Sequence, residues 1–170
     1  MTTTDRAMPP LEADERTTLE SWLDFYRSTL AMKCGGLTDD QLRTSSVPPS
    51  PLTLLGLVQH MAEVERNWFR RILLGEQVPP IHGPDARPDG PDGGFDLVDD
   101  VTFDMARTTW ESEIAQARHN CSGRGLEETS PFMGGQVTLR WIYTHMIAEY
   151  ARHAGHADLI RERIDGTTGV

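Results

Sequence analysis

Positive charge is scarce in this 170-residue sequence: 16 lysines and arginines face 26 aspartates and glutamates, for a formal net charge of −10. Such a chain repels phosphate backbones and anionic lipid surfaces, which argues against nucleic acid or membrane as partners. Long hydrophobic runs are missing as well. LTLLGLV, among the longest, is far shorter than the roughly 20 apolar residues that cross a bilayer. The opening MTTTDRAMPP lacks the charged-then-apolar order of a secretory signal. Cysteine is reduced to Cys34 and Cys121, which have neither metal-ligand spacing nor further cysteines as partners. They are expected as free thiols of a cytoplasmic protein.

Strand-type alternation is also absent, whereas helical periodicity is plentiful. A first helix is expected from Leu11 to Cys34, with Leu19, Trp22, Leu23, Tyr26 and Leu30 on one face. Gly35 or Gly36 can stop it in the left-handed conformation, and Thr38 with Gln41 fits a capping box for a short turn. A second helix follows PPSPLT, capped by Ser50 or Thr53, and carries Leu54, Leu57, Met61, Val64, Trp68 and Ile72 up to Leu74 and Gly75. A third spans Thr102 to Asn120, and a fourth spans Thr138 to Ile164 before Asp165-Gly166. Between Gly75 and Asp100 lies a Pro-, Gly- and Asp-rich connector that offers no periodic face and is long enough for a crossover. The segment CSGRGLEETSPFMGGQ reads as a second connector. The expected fold is all-α, an antiparallel four-helix bundle forming a single domain over residues 1–170. Trp22, Trp68, Trp110 and Trp141 are expected in its core, with one of them lining the site as the alternative, and Arg66, Arg70 and Arg71 on a solvated face or against the carboxylates of a thiol cofactor.

The densest chemistry is HMIAEYARHAGH, residues 145–156, which holds three of the six histidines. At about 100° per residue, with His145 at zero, Glu149 falls near 40°, His153 near 80° and His156 near 20°. Ile142 and Ile160 fall near 60° and Met146 near 100°, so the polar arc overlaps the apolar stripe. A carboxylate turned toward a core requires compensation. Either a single arginine or lysine supplies it, or a metal ion does. The second helix offers His60 beside Leu57 and Val64. Two imidazoles and a carboxylate suit zinc or another borderline divalent ion and leave a coordination position open. The competing reading makes these histidines ordinary hydrogen-bonded core or rim residues. His82 and His119, in or near connectors, are expected in solvent, and His145 on a polar helix face.

LTLLGLVQHMAEVERNWFRR and LRWIYTHMIAEYARHAGHADLIRERIDG together resemble the DinB-like superfamily, in the group related to mycothiol-dependent maleylpyruvate isomerase. The likeness runs from GLTDDQL to ERIDG. It implies a four-helix bundle with one divalent metal, often zinc or nickel, held by a histidine of the second helix and two side chains of the fourth, four residues apart. Carried over position by position, these are His60, Glu149 and His153. Many members have histidine where Glu149 stands; the isomerase branch uses glutamate. One bundle without a second carboxy-terminal domain departs from that isomerase and weakens maleylpyruvate as substrate. The resemblance implies a metal-dependent transferase or isomerase using mycothiol or another small thiol on small electrophiles. His156, left over beside the ligand set, is read from its position either as a proton carrier or as a hydrogen-bonded helix-face residue. The alternatives are a zinc-type hydrolase working through water and a non-catalytic metal- or ligand-binding stress protein. Small molecules are the expected partners, and a homodimer is compatible with this reading.

Overall fold

Short polar signals set where the helices of this protein begin and end. In the computed structural model, which describes residues 6–82 and 94–169, the Asp14 carboxylate accepts from Thr17 N at 3.0 Å and starts α1 (Glu15–Cys34). That start lies later than Leu11 because Asp14 is the first residue able to cap. Thr38 and Gln41 form the expected reciprocal capping box on α2 (Asp39–Leu42). α3 (Leu54–Arg66) continues into a π-type stretch, Asn67–Ile72. α4 (Phe103–Cys121) starts on a Thr102 cap, and α5 (Leu139–Asp165) completes the helices. Gly36, Gly75 and Gly166 take positive φ where the helices stop, a conformation that glycine enters without steric cost.

A small antiparallel hairpin is the feature that the sequence reading missed. β1 (Thr129–Phe132) pairs with β2 (Gly135–Thr138) through a turn at Met133 and Gly134, both at positive φ. Such turns favour Asn-Gly or Asp-Gly, so methionine in the first position, together with Pro131 in the strand, hid the hairpin. Ser130 donates from Oγ to the Leu73 carbonyl at 2.8 Å, satisfying an otherwise orphaned helix-end acceptor.

The chain divides into two compact units, residues 1–54 with 140–170, and residues 55–139. In the first, Arg140 pairs with Glu15 at 2.6 Å and Tyr143 donates to Glu20 at 2.9 Å, near the starts of α5 and α1. Near their ends, Lys33 meets Asp158 at 2.7 Å and Arg161 donates to the Lys33 carbonyl at 3.0 Å. α1 and α5 therefore run parallel, with Leu23, Leu30, Ile142, Met146 and Tyr150 buried. In the second unit, Arg66 meets Glu113 at 2.6 Å and Asn120 donates to the Phe69 carbonyl at 3.0 Å. Ascending positions again meet ascending positions, so the α3–π segment runs parallel to α4. An up-and-down bundle would set both of these pairs antiparallel; the long connector after the π stretch allows the parallel arrangement. The described residues are thus mostly helical with one small sheet.

Burial corrects two surface assignments and one core assignment. Arg66, Arg70 and Arg71 do not form a solvated face: they bind Glu113, Glu76 and Glu63 at 2.6–2.8 Å. Glu113 stands on α4 and Glu63 on α3, so these pairs close within the unit of residues 55–139. Trp141 is largely exposed, unlike Trp68 and Trp110, which are buried. His82 is half-buried because Ile81 N donates to Glu63 at 2.8 Å and draws the chain inward. Burial, ahead of the nearby Glu63 and Arg66 charges, pushes His82 below the ordinary histidine range. The connector expected to lack a buried face is also anchored at its described flanks, by Ile81 and by Phe95; its residues 83–93 lie outside the described residues.

Candidate metal centre

α5 has no helix breaker between Leu139 and Asp165 except Gly155, so its fourfold spacing delivers one continuous ladder of side chains. Along that ladder stand Trp141, His145, Glu149 and His153. His145 stacks flat on Trp141, with centroids 5.0 Å apart and planes 7° apart. Its Nε2 lies 4.0 Å from Glu149 Oε1, while His153 Nε2 lies 3.5 Å from Glu149 Oε2. Arg152 touches Glu149 at 3.3 Å from the solvent side. Ile142, Met146, Tyr150, Ala157 and Ile160 are buried beside this ladder. The polar arc is therefore the edge of the apolar stripe, with His153 the member set fully inside it.

The protonation states suit ligation. Hydrogen bonding to His153, outweighing the opposing effect of burial, holds the Glu149 carboxyl below the usual carboxylate range. Burial first, then the neighbouring His153 and Arg152, pushes His156 below the ordinary histidine value. Burial likewise dominates over the Glu149 charge in lowering His145. Near neutral pH the arc therefore holds a carboxylate flanked by neutral His145 and His156.

His156 sits off the ladder, its Nδ1 3.2 Å from His153 Nδ1. Only one of those nitrogens can carry the shared hydrogen. A hydrogen on His153 Nδ1, donated to His156, is the tautomer in which Nε2 can ligate a metal ion in place of its hydrogen bond to Glu149.

On α3, His60 is buried and its ring stacks on Phe95 at 4.0 Å and 18°. Phe95 was not among the residues expected to matter; the signal was a lone aromatic in the Pro-, Gly- and Asp-rich connector. Among the described residues, His60, Glu149 and His153 each offer one ligand atom, and these atoms lie within 4.8 Å of one another. His145 and His156 are not in that group, and His119 is exposed.

Two imidazoles and a carboxylate of this kind, on a mostly helical chain, define a candidate metal-binding helical protein. The chain matches the family model for Mycothiol-S-transferase over residues 18–166, and it belongs to that family. No curated protein matches it. The expected kinship with mycothiol enzymes is thus established. Among the described residues no helix is long and apolar enough to cross a membrane.

Proposed function

We propose that this protein is a metal-dependent transferase that joins the sulfur of mycothiol, or of a closely related small thiol, to a small electrophile. In this reading the four long helices form one DinB-like bundle domain, with a crossover between the second and third. His60, Glu149 and His153 hold one divalent ion, zinc in the first instance and nickel in the second. The observation that carries the reading is the gathering of three chemically suitable donors within 4.8 Å of one another in a chain of the Mycothiol-S-transferase family.

The donor set fits a borderline divalent cation better than magnesium or calcium, which favour oxygen-rich ligation. It carries one negative charge against two positive ones, so a further anion is favoured at the site, and a thiolate is such an anion. A bound ion supplies Lewis acidity that lowers the pKa of a thiol into the neutral range. Glu149 orients the pair through its His153 contact, and His156 fixes the His153 tautomer. In the reaction the sulfur–carbon bond forms, the bond from that carbon to its leaving group breaks, and the thiol proton is released. His156, expected from the sequence as the proton carrier, serves here chiefly as a positioning residue. Both roles require a neutral ring, which its lowered pKa provides.

The test is to strip the purified protein of metal, restore zinc, and follow consumption of a haloaromatic electrophile with and without mycothiol. Turnover should require metal and thiol together. Metal-dependent turnover at the same rate without thiol would establish the water-using hydrolase instead. Metal binding without turnover under a panel of thiols would leave a binding protein.

A further inference from the structure

Trp141 is the large aromatic of this chain that its fold leaves most open, and it heads a graded series. Trp141 is 46% exposed. The next side chains down the ladder are 27% exposed at His145, 16% at Glu149 and 5% at His153. One polar track thus descends from solvent to buried donors along a single helix face. Apolar packing explains neither end: Trp141 could have been turned inward, as Trp110 is, and instead lies flat against an imidazole.

We propose that Trp141 is the platform on which the carbohydrate end of the thiol substrate stacks, with His145 holding the indole in place. The proposal rests on the transferase reading above and adds the residue that distinguishes mycothiol from simpler thiols. Distance selects the part of the substrate. Trp141 lies eight residues from Glu149, about 12 Å along the helix at 1.5 Å per residue. The reacting sulfur and the electrophile must meet near Glu149 and His153, so Trp141 is too remote to touch them. It is at the right reach for the far end of a molecule built of a cysteinyl arm followed by two six-membered rings, roughly a dozen Å at ordinary bond lengths.

The chemistry agrees. Sugar and cyclitol rings present polarised C–H bonds on one face, which pack on the negative face of an indole while their hydroxyls stay in water. A half-exposed tryptophan with a fixed ring plane suits such a group, whereas a buried one would have to strip its hydroxyls. Little side-chain ordering is required on binding, because the His145 stack already fixes the ring.

The proposal is tested with the zinc-loaded protein, mycothiol, a cysteine ester lacking both rings, and the glucosaminyl-inositol unit lacking cysteine. For W141A, KM for mycothiol should rise about tenfold with kcat nearly unchanged, whereas turnover of the cysteine ester stays at the native rate. Trp141→Phe, which keeps a smaller aromatic face, should fall between. Calorimetry should detect weak binding of glucosaminyl-inositol to the native chain and none to W141A. Unchanged discrimination between the two thiols in W141A would overturn the platform while leaving the transferase reading intact. If the native chain shows no thiol-dependent turnover, the transferase reading fails by itself, and the calorimetric comparison still decides the platform. Absence of glucosaminyl-inositol binding to the native chain would then remove it.

Discussion

Among the described residues Glu63, Glu65 and Glu113 are buried and Glu149 is partly buried, and the contacts of Glu63, Glu113 and Glu149 are of two kinds. Glu63 and Glu113, in the unit of residues 55–139, are met by arginines at 2.6 Å, and Glu63 also accepts from Ile81 N at 2.8 Å. Glu113 has Arg70 as a second cation at 3.3 Å. These acids are answered by their own unit. Glu149, in the other unit, has longer contacts: 3.3 Å to Arg152, which is 63% exposed, and 3.5 Å to His153. A solvent-exposed arginine contributes little to stability. The first pattern is what a fold does to neutralise an acid it has buried. The second keeps carboxylate lone pairs available and surrounds them with imidazoles, which is what a ligand site requires.

That contrast can be broken from either side. The largest effect is expected from Arg71→Ala, which strands a nearly inaccessible Glu63. Removing one partner of a buried pair should cost about 3–5 kcal/mol, read as a lowered urea midpoint with or without metal. Glu149→Gln should do the reverse. Unfolding of the metal-free protein should stay within about 1 kcal/mol of the native chain, because no buried pair is stranded. The native chain should gain about 2.7 kcal/mol at a zinc concentration a hundredfold above its Kd, and the variant should lose that gain. Equal destabilisation of both metal-free variants would show that Glu149 belongs with Glu63.

His156→Ala separates positioning from proton transfer. Loss of the partner on His153 Nδ1 should weaken metal binding about 10- to 100-fold, measured by competition with a chelating dye. Unchanged metal affinity with a shifted pH–rate profile would instead make His156 a proton carrier.

The smallest effect concerns Asp165 at the end of α5. Its pKa is lowered to about 2, first by the Arg161 hydrogen bond and then by Thr167. A carboxyl depressed in the folded state contributes stability above its unfolded value near 3.8, and the contribution is lost as pH falls toward about 2. Asp165→Asn should therefore be slightly less stable than the native chain above pH 4, with the difference vanishing near pH 2. A constant difference across that range would point to a cause other than charge.

Much of this was legible from residue order. α5 and its ladder follow from fourfold spacing and the capping box from Thr38 and Gln41; spacing pointed to a polar arc near an apolar stripe, and the family resemblance singled out His60, Glu149 and His153, which the structure brings within 4.8 Å of one another. What escaped depends on contacts distant in sequence. The hairpin at Thr129–Thr138 is held by turn conformations unusual for methionine and by Ser130 reaching Leu73. Arg66 and Arg70 find Glu113 47 and 43 positions along the chain, a pairing that periodicity does not announce. Phe95 over His60 joins a connector to a helix, and no local pattern predicts it. The exposure of Trp141 was hidden because tryptophan is ordinarily counted with the core.

The central claim is that the thiol sulfur reaches an ion held by His60, Glu149 and His153, and cobalt substitution tests it most directly. The cobalt(II)-loaded protein should develop a thiolate-to-cobalt charge-transfer band on addition of mycothiol, saturating at about one thiol per chain for a site with one open position. The band should be absent from His153→Ala. Cobalt bound stoichiometrically with no such band at saturating mycothiol would contradict the account.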